Sequence, residues 1–358
     1  MTTSNFTVAP RVWADIDLGA VLSNARTVAA TSGTRLLPMV KADGYGVGAV
    51  PVAKALEQLD PWGYGVASVE EGEELRAAGI ERPVVVFSPL RSGRIPRYLS
   101  AQLRPSIGDH VALRDWSAAS DRPFHVEIDT GLSRAGFRWS DSPAIAELLA
   151  ALSSHPPEGV FTHFHSGDDA PATMDQQWQR FMGMVQLMDR RPQLVHAANS
   201  AAALRDRKYS ADLVRPGIYL YGGEAGGRHP SRVVQLRSVV IAIRRIEAGE
   251  PVSYGATWSS PTPVTIATLA IGYADGLHRA LAPRGRIELN NQLLPIAGRI
   301  TMDMTMLAVP DDLAVVPGDV ATVFGGRVSL DTQAGAAGTI SYELLTSMGR
   351  RVERRYHS

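Results

Sequence analysis

The chain has 358 residues, enough for about two domains at the usual size of roughly 100–200 residues each. Apolar residues make up 45% of the chain and charged residues 20%, which excludes a disordered or collagen-like protein. The 36 Lys and Arg balance the 36 Asp and Glu, and this absence of a basic excess argues against a nucleic-acid-binding protein. Because there is no cysteine, disulfides, thiolate metal sites and Cys nucleophiles are excluded.

The first 18 residues contain no basic stretch followed by an apolar core, so we expect no secretory signal. No run of about 18 uncharged apolar residues occurs, which argues against a membrane span. We therefore expect a cytoplasmic enzyme or binding protein that contacts neither membrane nor nucleic acid.

Between residues 11 and 220, short apolar runs alternate with stretches of helical period. The predicted strands cover 13–18, 36–42, 64–68, 83–88, 124–129, 159–164, 194–198 and 214–222. The predicted helices cover 19–32, 49–59, 69–78, 142–152 and 175–189. This alternation predicts an α/β fold with an N-terminal (β/α)8 TIM-like barrel. A doubly wound sheet is the alternative, although no Gly-rich dinucleotide turn follows the first strand.

The part of the chain beyond residue 230 has a different pattern, in which alternating apolar runs are separated by turn residues. These runs cover 233–246, 265–273, 286–300 and 319–326, and the pair Asn290-Asn291 between two of them predicts a hairpin. The segment 340–349 is the one helix that the pattern predicts here. We therefore expect a barrel over 11–230 and a mainly β C-terminal domain over 231–358. Residues 1–10 are expected to belong to this C-terminal domain.

Lys41 follows the apolar run LLPMV and precedes ADGYGVG. A lysine at the C-terminal end of a barrel strand lies where barrel enzymes place their catalytic groups. When such a lysine is desolvated, it can form a Schiff base with a carbonyl group. The glycines at positions 44, 46 and 48 permit a tight backbone beside a bound group, and Tyr45 adds a hydroxyl. Taken alone, a lysine at a strand end is more often a surface residue.

The segment VKADGYGVG (40–48) resembles the pyridoxal-phosphate lysine motif of alanine racemases. Further matches to this family follow in order: DTGLSRAGF (129–137), FTHF (161–164), HAANSAAAL (196–204), VRPGIYLYG (214–222), VSYGATW (252–258), IGYADG (271–276), GRITMDM (298–304) and SYELLTSMGRRVERRY (341–356). Together they extend over residues 11–356, nearly the whole chain. The family fold, a barrel followed by a β domain, is the arrangement that the alternation of elements predicts independently.

The resemblance implies that pyridoxal 5'-phosphate is bound covalently to Lys41, which is also one of two catalytic bases. Tyr254 would be the second base, on the opposite face of the α carbon, because racemisation needs one group to remove a proton and another to return one. His163 matches the histidine beside that tyrosine, and Arg215 matches the arginine that faces the pyridine nitrogen. Arginine is a poor proton donor, so it leaves that nitrogen largely unprotonated and disfavours transamination.

For the cofactor's phosphate group, the resemblance implies Ser200, the backbone N–H groups of Gly217 and Ile218, and the hydroxyls of Tyr45 and Tyr356. Backbone donors after a turn form anion sites. The position of Ser200 before AAAL also predicts a helix N-cap, and one residue can both cap a helix and bind a phosphate group.

For the substrate carboxylate, the resemblance implies Arg134 and the backbone N–H of Met302. Tyr273 and Asp303 would line the entrance and support these groups. In the family, the residues that match Tyr254, Tyr273 and Met302 come from the partner subunit. The resemblance therefore implies a homodimer with shared active sites.

Two positions depart from the family pattern. Glu127 lies seven residues before Arg134, where many members carry a carbamylated lysine. Glutamate supplies the same charge without carbon dioxide, but its shorter side chain reaches Arg134 only through water or a shifted backbone. Thr301 precedes Met302 where many members have cysteine, and we expect this change to alter loop contacts without loss of chemistry.

A metal site is a competing interpretation of the segment THFH. His163 and His165 share one face of a strand, and Asp168, Asp169 and His196 could add ligands. Such a site explains neither the lysine motif nor the match over the whole chain, so we expect no metal.

The function that the resemblance implies is the interconversion of L-alanine and D-alanine, which supplies D-alanine for peptidoglycan. A racemase of another or broader set of small amino acids, such as serine, stays open. So does a pyridoxal-phosphate-binding protein without turnover. Decarboxylases of related fold are disfavoured, because many use a catalytic cysteine that this chain lacks.

Overall fold

The computed structural model describes residues 10–167 and 171–358. The chain divides into two compact units, which we call the barrel unit and the β unit. The barrel unit is Val21–Ser231, and the β unit is Arg232–Ser358 together with the residues up to Ala20. Among the helices in the described ranges, none has both the length and the apolar character needed to cross a lipid bilayer.

The bounds of the regular elements are as follows. The strands are β1 (Val12–Asp17), β2 (Arg35–Leu36), β3 (Tyr64–Val66), β4 (Val84–Pro89), β5 (Arg104–Ile107), β6 (His125–Asp129), β7 (Phe137–Arg138), β8 (Gly159–Phe161), β9 (Leu194–His196), β10 (Leu213–Val214), β11 (Val234–Ile246), β12 (Pro251–Val252), β13 (Trp258–Ser259), β14 (Val264–Leu269), β15 (Arg286–Leu289), β16 (Gln292–Pro295), β17 (Thr305–Val309), β18 (Val320–Phe324) and β19 (Glu353–His357). The helices are α1 (Leu18–Ser32), α2 (Lys41–Tyr45), α3 (Ala49–Leu56), α4 (Val69–Ala77), α5 (Ile95–Ser100), α6 (His110–Ala119), α7 (Ser142–Ser154), α8 (Pro171–Gln186), α9 (Ser200–Arg205), α10 (Leu330–Ala337) and α11 (Ser341–Thr346).

Eight parallel strands form the main path of the sheet of the barrel unit, and the short β7 pairs with β6 beside this path. Their order is β3, β4, β5, β6, β8, β9, β10 and β2, which follows the chain except for β2. A parallel bridge between Met39 and Gly65 joins the segment after β2 to β3 and so connects the two ends of this path. Helices lie between successive strands along the chain, as parallel pairing requires a crossover. The predicted (β/α)8 TIM-like barrel is confirmed.

The interior of the barrel has an apolar layer. Leu37, Val85, Leu194 and Leu213 come from four different strands or strand ends and pack into one buried cluster with two partly buried aromatic rings. Two residues further along each strand, the same inward face carries the next layer, because side chains alternate across a strand. That next layer contains His196 after Leu194 and Arg215 after Leu213, so the interior becomes polar toward the C-terminal ends of the strands.

The β unit is built around β11, a strand of 13 residues. It pairs with β1, β18 and β14, all antiparallel, and β1 also pairs in parallel with β19. The predicted hairpin is confirmed, since β15 and β16 pair antiparallel around Asn290 and Asn291. Both asparagines have positive φ angles, 47° and 63°, as a two-residue hairpin turn of this kind requires. The mainly β character of this unit is confirmed as well.

The strand expected over 13–18 does form, but the sequence analysis placed it in the barrel and this was wrong. Its residues pair with β11 and β19 of the β unit. A local apolar pattern predicts a strand without indicating its partners, and β11 follows β1 by more than 200 residues. Residues 1–9, which the sequence analysis joined to the β domain, lie outside the described residues.

Other local expectations were wrong in physically simple ways. The strand expected over 214–222 ends at Val214, because Pro216 cannot donate a ladder hydrogen bond, and a 3-10 turn follows at Ile218–Tyr221. The sequence analysis missed β5, whose RPSI sequence contains a proline, and its flanking helices α5 and α6. It also missed α10, whose small residues LDTQAGAA carry no clear apolar stripe.

A buried carboxylate connects the two ends of the β unit. Asp275 has a fully buried side chain and accepts hydrogen bonds from Arg11 at 2.7 Å and from the N–H of Gly272 at 3.0 Å. Arg351 pairs with Asp275 at 3.1 Å and with Asp303 at 2.7 Å. This network therefore ties the first and last segments of the chain to the loops that carry Asp275 and Asp303.

We expect Asp275→Asn to lower the free energy of unfolding by about 2 kcal/mol, the usual cost of losing charge-assisted hydrogen bonds. Urea unfolding followed by circular dichroism measures this change. Asp311→Asn is the matched control, because Asp311 pairs with Arg245 in the same unit but is largely exposed, and we expect it to cost less than about 0.5 kcal/mol. Equal losses in both variants would contradict the role of burial.

Candidate active site

Five of the predicted site residues follow the C-terminal ends of barrel strands. Lys41 comes after β2, Arg134 after β6, His163 after β8, Ser200 after β9 and Arg215 after β10. Because the strands are parallel, these ends meet at one edge of the barrel, where barrel enzymes carry their active sites. The topology thus brings together residues that are up to 174 positions apart in the chain.

The backbone after Lys41 turns in the left-handed sense. Residues 42–45 have φ angles of 52°, 51°, 60° and 56°. This conformation costs roughly 1–2 kcal/mol for each residue other than glycine, so other interactions must stabilise the turn. Glu71 gives that support, because its carboxylate accepts the N–H of Ala42 at 2.7 Å and the N–H of Ala67 at 2.6 Å. The sequence analysis did not single out Glu71, although Ser68 and Glu71 form a recognisable capping box.

The environment of Lys41 favours its neutral amine. Burial is the main cause that lowers the pKa of Lys41 from its ordinary value, and the nearby charges of Arg134 and Arg215 lower it further. Glu71 opposes this change. A lysine with a lowered pKa is a better proton acceptor and nucleophile near neutral pH.

Arg215 is a buried cation, with 3% of its surface exposed. One terminal nitrogen lies 2.7 Å from Nδ1 of His196, and the other donates to the carbonyls of Thr162 at 2.7 Å and Ala197 at 2.9 Å. Burial lowers the pKa of Arg215 to about 9, which leaves the group charged at neutral pH. These contacts use the two terminal nitrogens, and within the described residues Nε has no hydrogen-bond partner.

His163 is neutral in this site. Burial and the positive charges of Arg215, Arg134 and Lys41 lower the pKa of His163 to about 3. Its Nδ1 lies 3.3 Å from a terminal nitrogen of Arg215, which can only donate. The proton of the neutral ring is therefore on Nε2, which is left as a hydrogen-bond donor.

Ser200, Gly217 and Tyr45 converge beside the turn after β10. The N–H of Gly217 donates to Oγ of Ser200 at 2.8 Å. A Cβ atom added to Gly217 would lie 2.2 Å from the hydroxyl oxygen of Tyr45, so only glycine fits at this position. The ring of Tyr45 stacks on Tyr221 with 4.5 Å between centroids, and Ile218 follows in the same buried turn. Hydroxyl and backbone donors are thus gathered in one place.

Glu127 lies inside the barrel with 5% of its surface exposed. Burial raises the pKa of Glu127, while the charges of Arg134 and Arg215 oppose this rise. Across the described part of the chain, no hydrogen bond or ion pair joins Glu127 directly to Arg134. The carboxylate therefore acts on both arginines through charge at a distance.

A buried glutamine, which the sequence analysis missed, fastens two site loops to each other. Gln177 donates to the carbonyl of His163 at 3.1 Å and to the hydroxyl of Thr130 at 3.3 Å, and it accepts the N–H of His165 at 3.1 Å. The loop that carries Arg134 begins at Thr130. No local pattern distinguishes this glutamine from others on a helix face.

The remaining predicted residues belong to the β unit and are largely exposed there. Tyr254 is 73% exposed, Met302 53% and Tyr273 44%. The loops of Tyr273 and Met302 are joined by backbone hydrogen bonds of 3.0 Å, from Tyr273 to Thr301 and from Ala274 to Met302. Two further predicted residues lie in the same unit, Asp303 beside Met302 and Tyr356 in β19.

The hydroxyl of Thr301 closes the turn before Met304. It donates to the carbonyl of Met304 at 2.9 Å and accepts the N–H of the same residue at 3.1 Å. Threonine at this position therefore holds the loop that carries Met302.

The competing metal interpretation rests on residues that the structure describes only in part. His165 is exposed and its Nδ1 contacts the hydroxyl of Ser166, while Asp168 and Asp169 lie outside the described residues. Over residues 10–167 and 171–358, no group of three or more His, Asp or Glu side chains could hold a metal ion.

Comparisons with known proteins agree with this architecture. Residues 16–225 match the alanine racemase N-terminal domain family, and residues 233–356 match the alanine racemase C-terminal domain family. The chain is 37% identical to the alanine racemase of Chlorobaculum tepidum, over 95% of this chain and 94% of that protein. It is 35% identical to the alanine racemase of Symbiobacterium thermophilum, over 96% of each.

Solved structures give the same result. A Bartonella henselae alanine racemase structure with covalently bound pyridoxal phosphate has a TM-score of 0.91 and 29% identity, covering 98% of this chain and 100% of that one. The alanine racemase of Streptomyces coelicolor has a TM-score of 0.90 and 30% identity, covering 97% and 98%. The two domain matches, the near full-length relatives and the shared fold together show that the chain belongs to the alanine racemase family.

Proposed function

We propose that this chain is a pyridoxal-phosphate-dependent racemase that interconverts L-alanine and D-alanine. The observation that carries the proposal is the cluster at the C-terminal edge of the barrel. There a lysine with a lowered pKa lies among Arg134, Arg215 and a neutral His163, in a member of the alanine racemase family.

The residues present fit the cofactor. Lys41 supplies an amine for covalent attachment, and the free Nε–H of the buried Arg215 is a donor for a ring nitrogen. Ser200, Tyr45 and the backbone around Gly217 and Ile218 gather donors that suit a phosphate group, and Tyr356 would add one more hydroxyl. When bound, pyridoxal phosphate supplies an electron-withdrawing ring that stabilises negative charge at the substrate's α carbon.

Lys41 and Tyr254 are the two bases in this proposal. Nζ of Lys41 takes the α proton on one face, which its lowered pKa favours. The phenol oxygen of Tyr254 exchanges a proton on the other face. The Nε2–H of His163 is available to donate to that oxygen and to stabilise its anionic form. Arg215 stays charged at neutral pH, so it holds the ring without giving up its proton.

The exposure of Tyr254, Tyr273 and Met302 supports a homodimer with shared sites. A base that works at an α carbon needs a site from which water is excluded, yet Tyr254 is 73% exposed in its own chain. We therefore assign the β unit of one protomer to complete the site of its partner. The supporting ion network around Asp275 holds the loops of Tyr273 and Met302 in place for this task.

Substrate binding in this proposal depends on charge. Arg134 and the backbone N–H of Met302 bind the carboxylate of alanine, and Asp303 and Tyr273 support the entrance. Glu127 balances the two arginines in place of a carbamylated lysine. In the cell we place the enzyme in the cytoplasm, where it would supply D-alanine for peptidoglycan.

The proposal is tested by circular dichroism of a panel of amino acids incubated with the enzyme. We expect racemisation with the highest kcat/KM for alanine, and we expect Tyr254→Phe to lower that rate at least about 100-fold, the usual contribution of a catalytic base. In heavy water, the variant should still exchange the α proton of one alanine enantiomer, because Lys41 remains.

Tyr98→Phe is the matched control for that variant. Tyr98 is buried on an outer helix against Trp116, and we expect a change of less than twofold. No turnover of any amino acid by the unmodified enzyme would overturn the racemase proposal. Loss of exchange for both enantiomers in Tyr254→Phe would overturn the two-base assignment.

Bicarbonate should leave the activity unchanged, because Glu127 carries its charge without carbon dioxide. Initial rates in buffer stripped of carbon dioxide and in buffer with added bicarbonate measure this directly. In Glu127→Lys, the rate should increase with bicarbonate, since the lysine can form a carbamate. Clear activation of the unmodified enzyme would contradict the role given to Glu127.

Gly217→Ala should weaken cofactor binding about tenfold, or roughly 1.4 kcal/mol. The added Cβ would collide with the Tyr45 hydroxyl and displace the donors beside it. Equilibrium dialysis of the cofactor measures the dissociation constant. Gly183→Ala in α8 is the control, since a Cβ there meets no atom within 4 Å. If both variants bind the cofactor with the same dissociation constant, the assignment of Gly217 to the phosphate site is wrong.

A further inference from the structure

The barrel interior contains two histidines that the proposed reaction does not use. His125 and His196 are both fully buried, on strands β6 and β9. Nδ1 of His125 lies 2.8 Å from Nε2 of His196, and Nδ1 of His196 lies 2.7 Å from a terminal nitrogen of Arg215. A direct hydrogen-bonded path therefore runs inward from Arg215.

The position of every proton on this path follows from the partners. Arginine can only donate, so Nδ1 of His196 accepts. Burial holds the pKa of His196 well below its ordinary value, so the ring is neutral and its proton is on Nε2. The 2.8 Å contact holds one proton, which His196 supplies, and Nδ1 of His125 accepts it. Burial also lowers the pKa of His125, so that ring is neutral with its proton on Nε2.

The path ends at an ion pair at the opposite edge of the barrel. Nε2 of His125 lies 3.3 Å from the Glu158 carboxylate, and Arg104 donates to the same carboxylate at 2.6 Å. Although burial opposes it, the hydrogen bonds from His125 and Arg104 hold the pKa of Glu158 below its ordinary value. Glu158 precedes β8 and Arg104 begins β5, which places this pair at the N-terminal ends of the strands.

Aromatic packing holds the two rings in their orientations. Phe161 stacks on His196 with centroids 5.1 Å apart and an angle of 14° between the rings. Trp62 lies 5.7 Å from the ring of His125. Rotation of His196 would displace the buried ring of Phe161, and rotation of His125 would displace the partly buried ring of Trp62, so packing and hydrogen bonds together hold both orientations.

We propose that His196, His125 and Glu158 form a polarised relay that holds Arg215 as a fixed, charged hydrogen-bond donor. Each imidazole turns its lone pair toward the guanidinium and its N–H toward Glu158, so both ring dipoles stabilise the positive charge. At the far end of the relay, the Glu158 carboxylate accepts the Nε2–H of His125 and so holds both imidazoles in this orientation. His125, His196 and Glu158 are thus positioning residues that act through Arg215. The effect on catalysis rests on the proposed function, in which Arg215 faces the cofactor ring.

The histidine tautomers test the relay without reference to activity. Long-range 1H–15N correlation spectra of histidine-15N-labelled protein distinguish the two neutral tautomers. We expect His125 and His196 both to be neutral with the proton on Nε2, assigned by the loss of each signal in His125→Phe and His196→Phe. A proton on Nδ1 of either ring, or a doubly protonated ring, overturns the relay whether or not the chain racemises alanine.

Steady-state kinetics test the effect on Arg215. Glu158→Gln keeps an acceptor for His125 but removes the charge, so we expect kcat to fall about tenfold, comparable to the loss of an outer hydrogen-bond partner at a catalytic centre. We expect KM for alanine to change less than twofold, because Arg134 lies outside the relay. Unchanged kcat, or an increase in KM that matches the loss of kcat, overturns the role of Glu158.

Glu147→Gln is the matched control. Glu147 also faces an imidazole, with 3.6 Å to Nδ1 of His110, but it is 70% exposed and lies outside the relay. We expect both its kinetic constants and the tautomers of His125 and His196 to match the unmodified enzyme. Equal kinetic effects in the two variants would show that removal of a surface charge, and not the relay, is responsible.

Discussion

A buried guanidinium is the constraint on which the barrel interior depends. A charge removed from water must be paired or fully hydrogen-bonded, and Arg215 is surrounded by groups that meet this demand. Two backbone carbonyls, two imidazoles and the charge of Glu127 face it. The barrel interior therefore has a polar layer around Arg215 beside its apolar layer, where most barrels are filled with branched apolar side chains throughout.

Burial and, after it, the same charge affect the protonation of the neighbouring groups. Arg215 contributes to the lowered pKa of Lys41 and of His163, so one becomes a better base and the other a neutral donor. Glu127 offsets part of this charge and is itself made harder to ionise by burial. The protonation states in the site thus depend on burial and on the balance between the arginine charges and Glu127, because the protein interior screens charges poorly.

The sequence predicted the parts of this arrangement that local patterns encode. The position of Lys41 at a strand end pointed to the edge of the barrel, and the resemblance to the alanine racemases implied that Arg134, His163, Ser200 and Arg215 belong to the same site. The contact between His125 and His196 could not be predicted, because it joins strands 71 residues apart across the barrel interior. For the same reason β1 was assigned to the wrong unit, since its partners lie far along the chain. The left-handed turn after Lys41 depends on Glu71, whose capping motif describes its own helix and not the turn it supports.

The placement of β1 has a consequence for how the protein is made. This strand leaves the ribosome before any of the barrel, but its partners β11 and β19 are synthesised only after the barrel is complete. The barrel unit is an insertion between β1 and β11, and apart from β2, which pairs with β10, its strands pair with neighbours along the chain, so it can fold during synthesis. β1 is unpaired on both edges until β11 has been synthesised, and its second edge stays unpaired until β19 follows. β19 is therefore the strand that completes the pairing of β1.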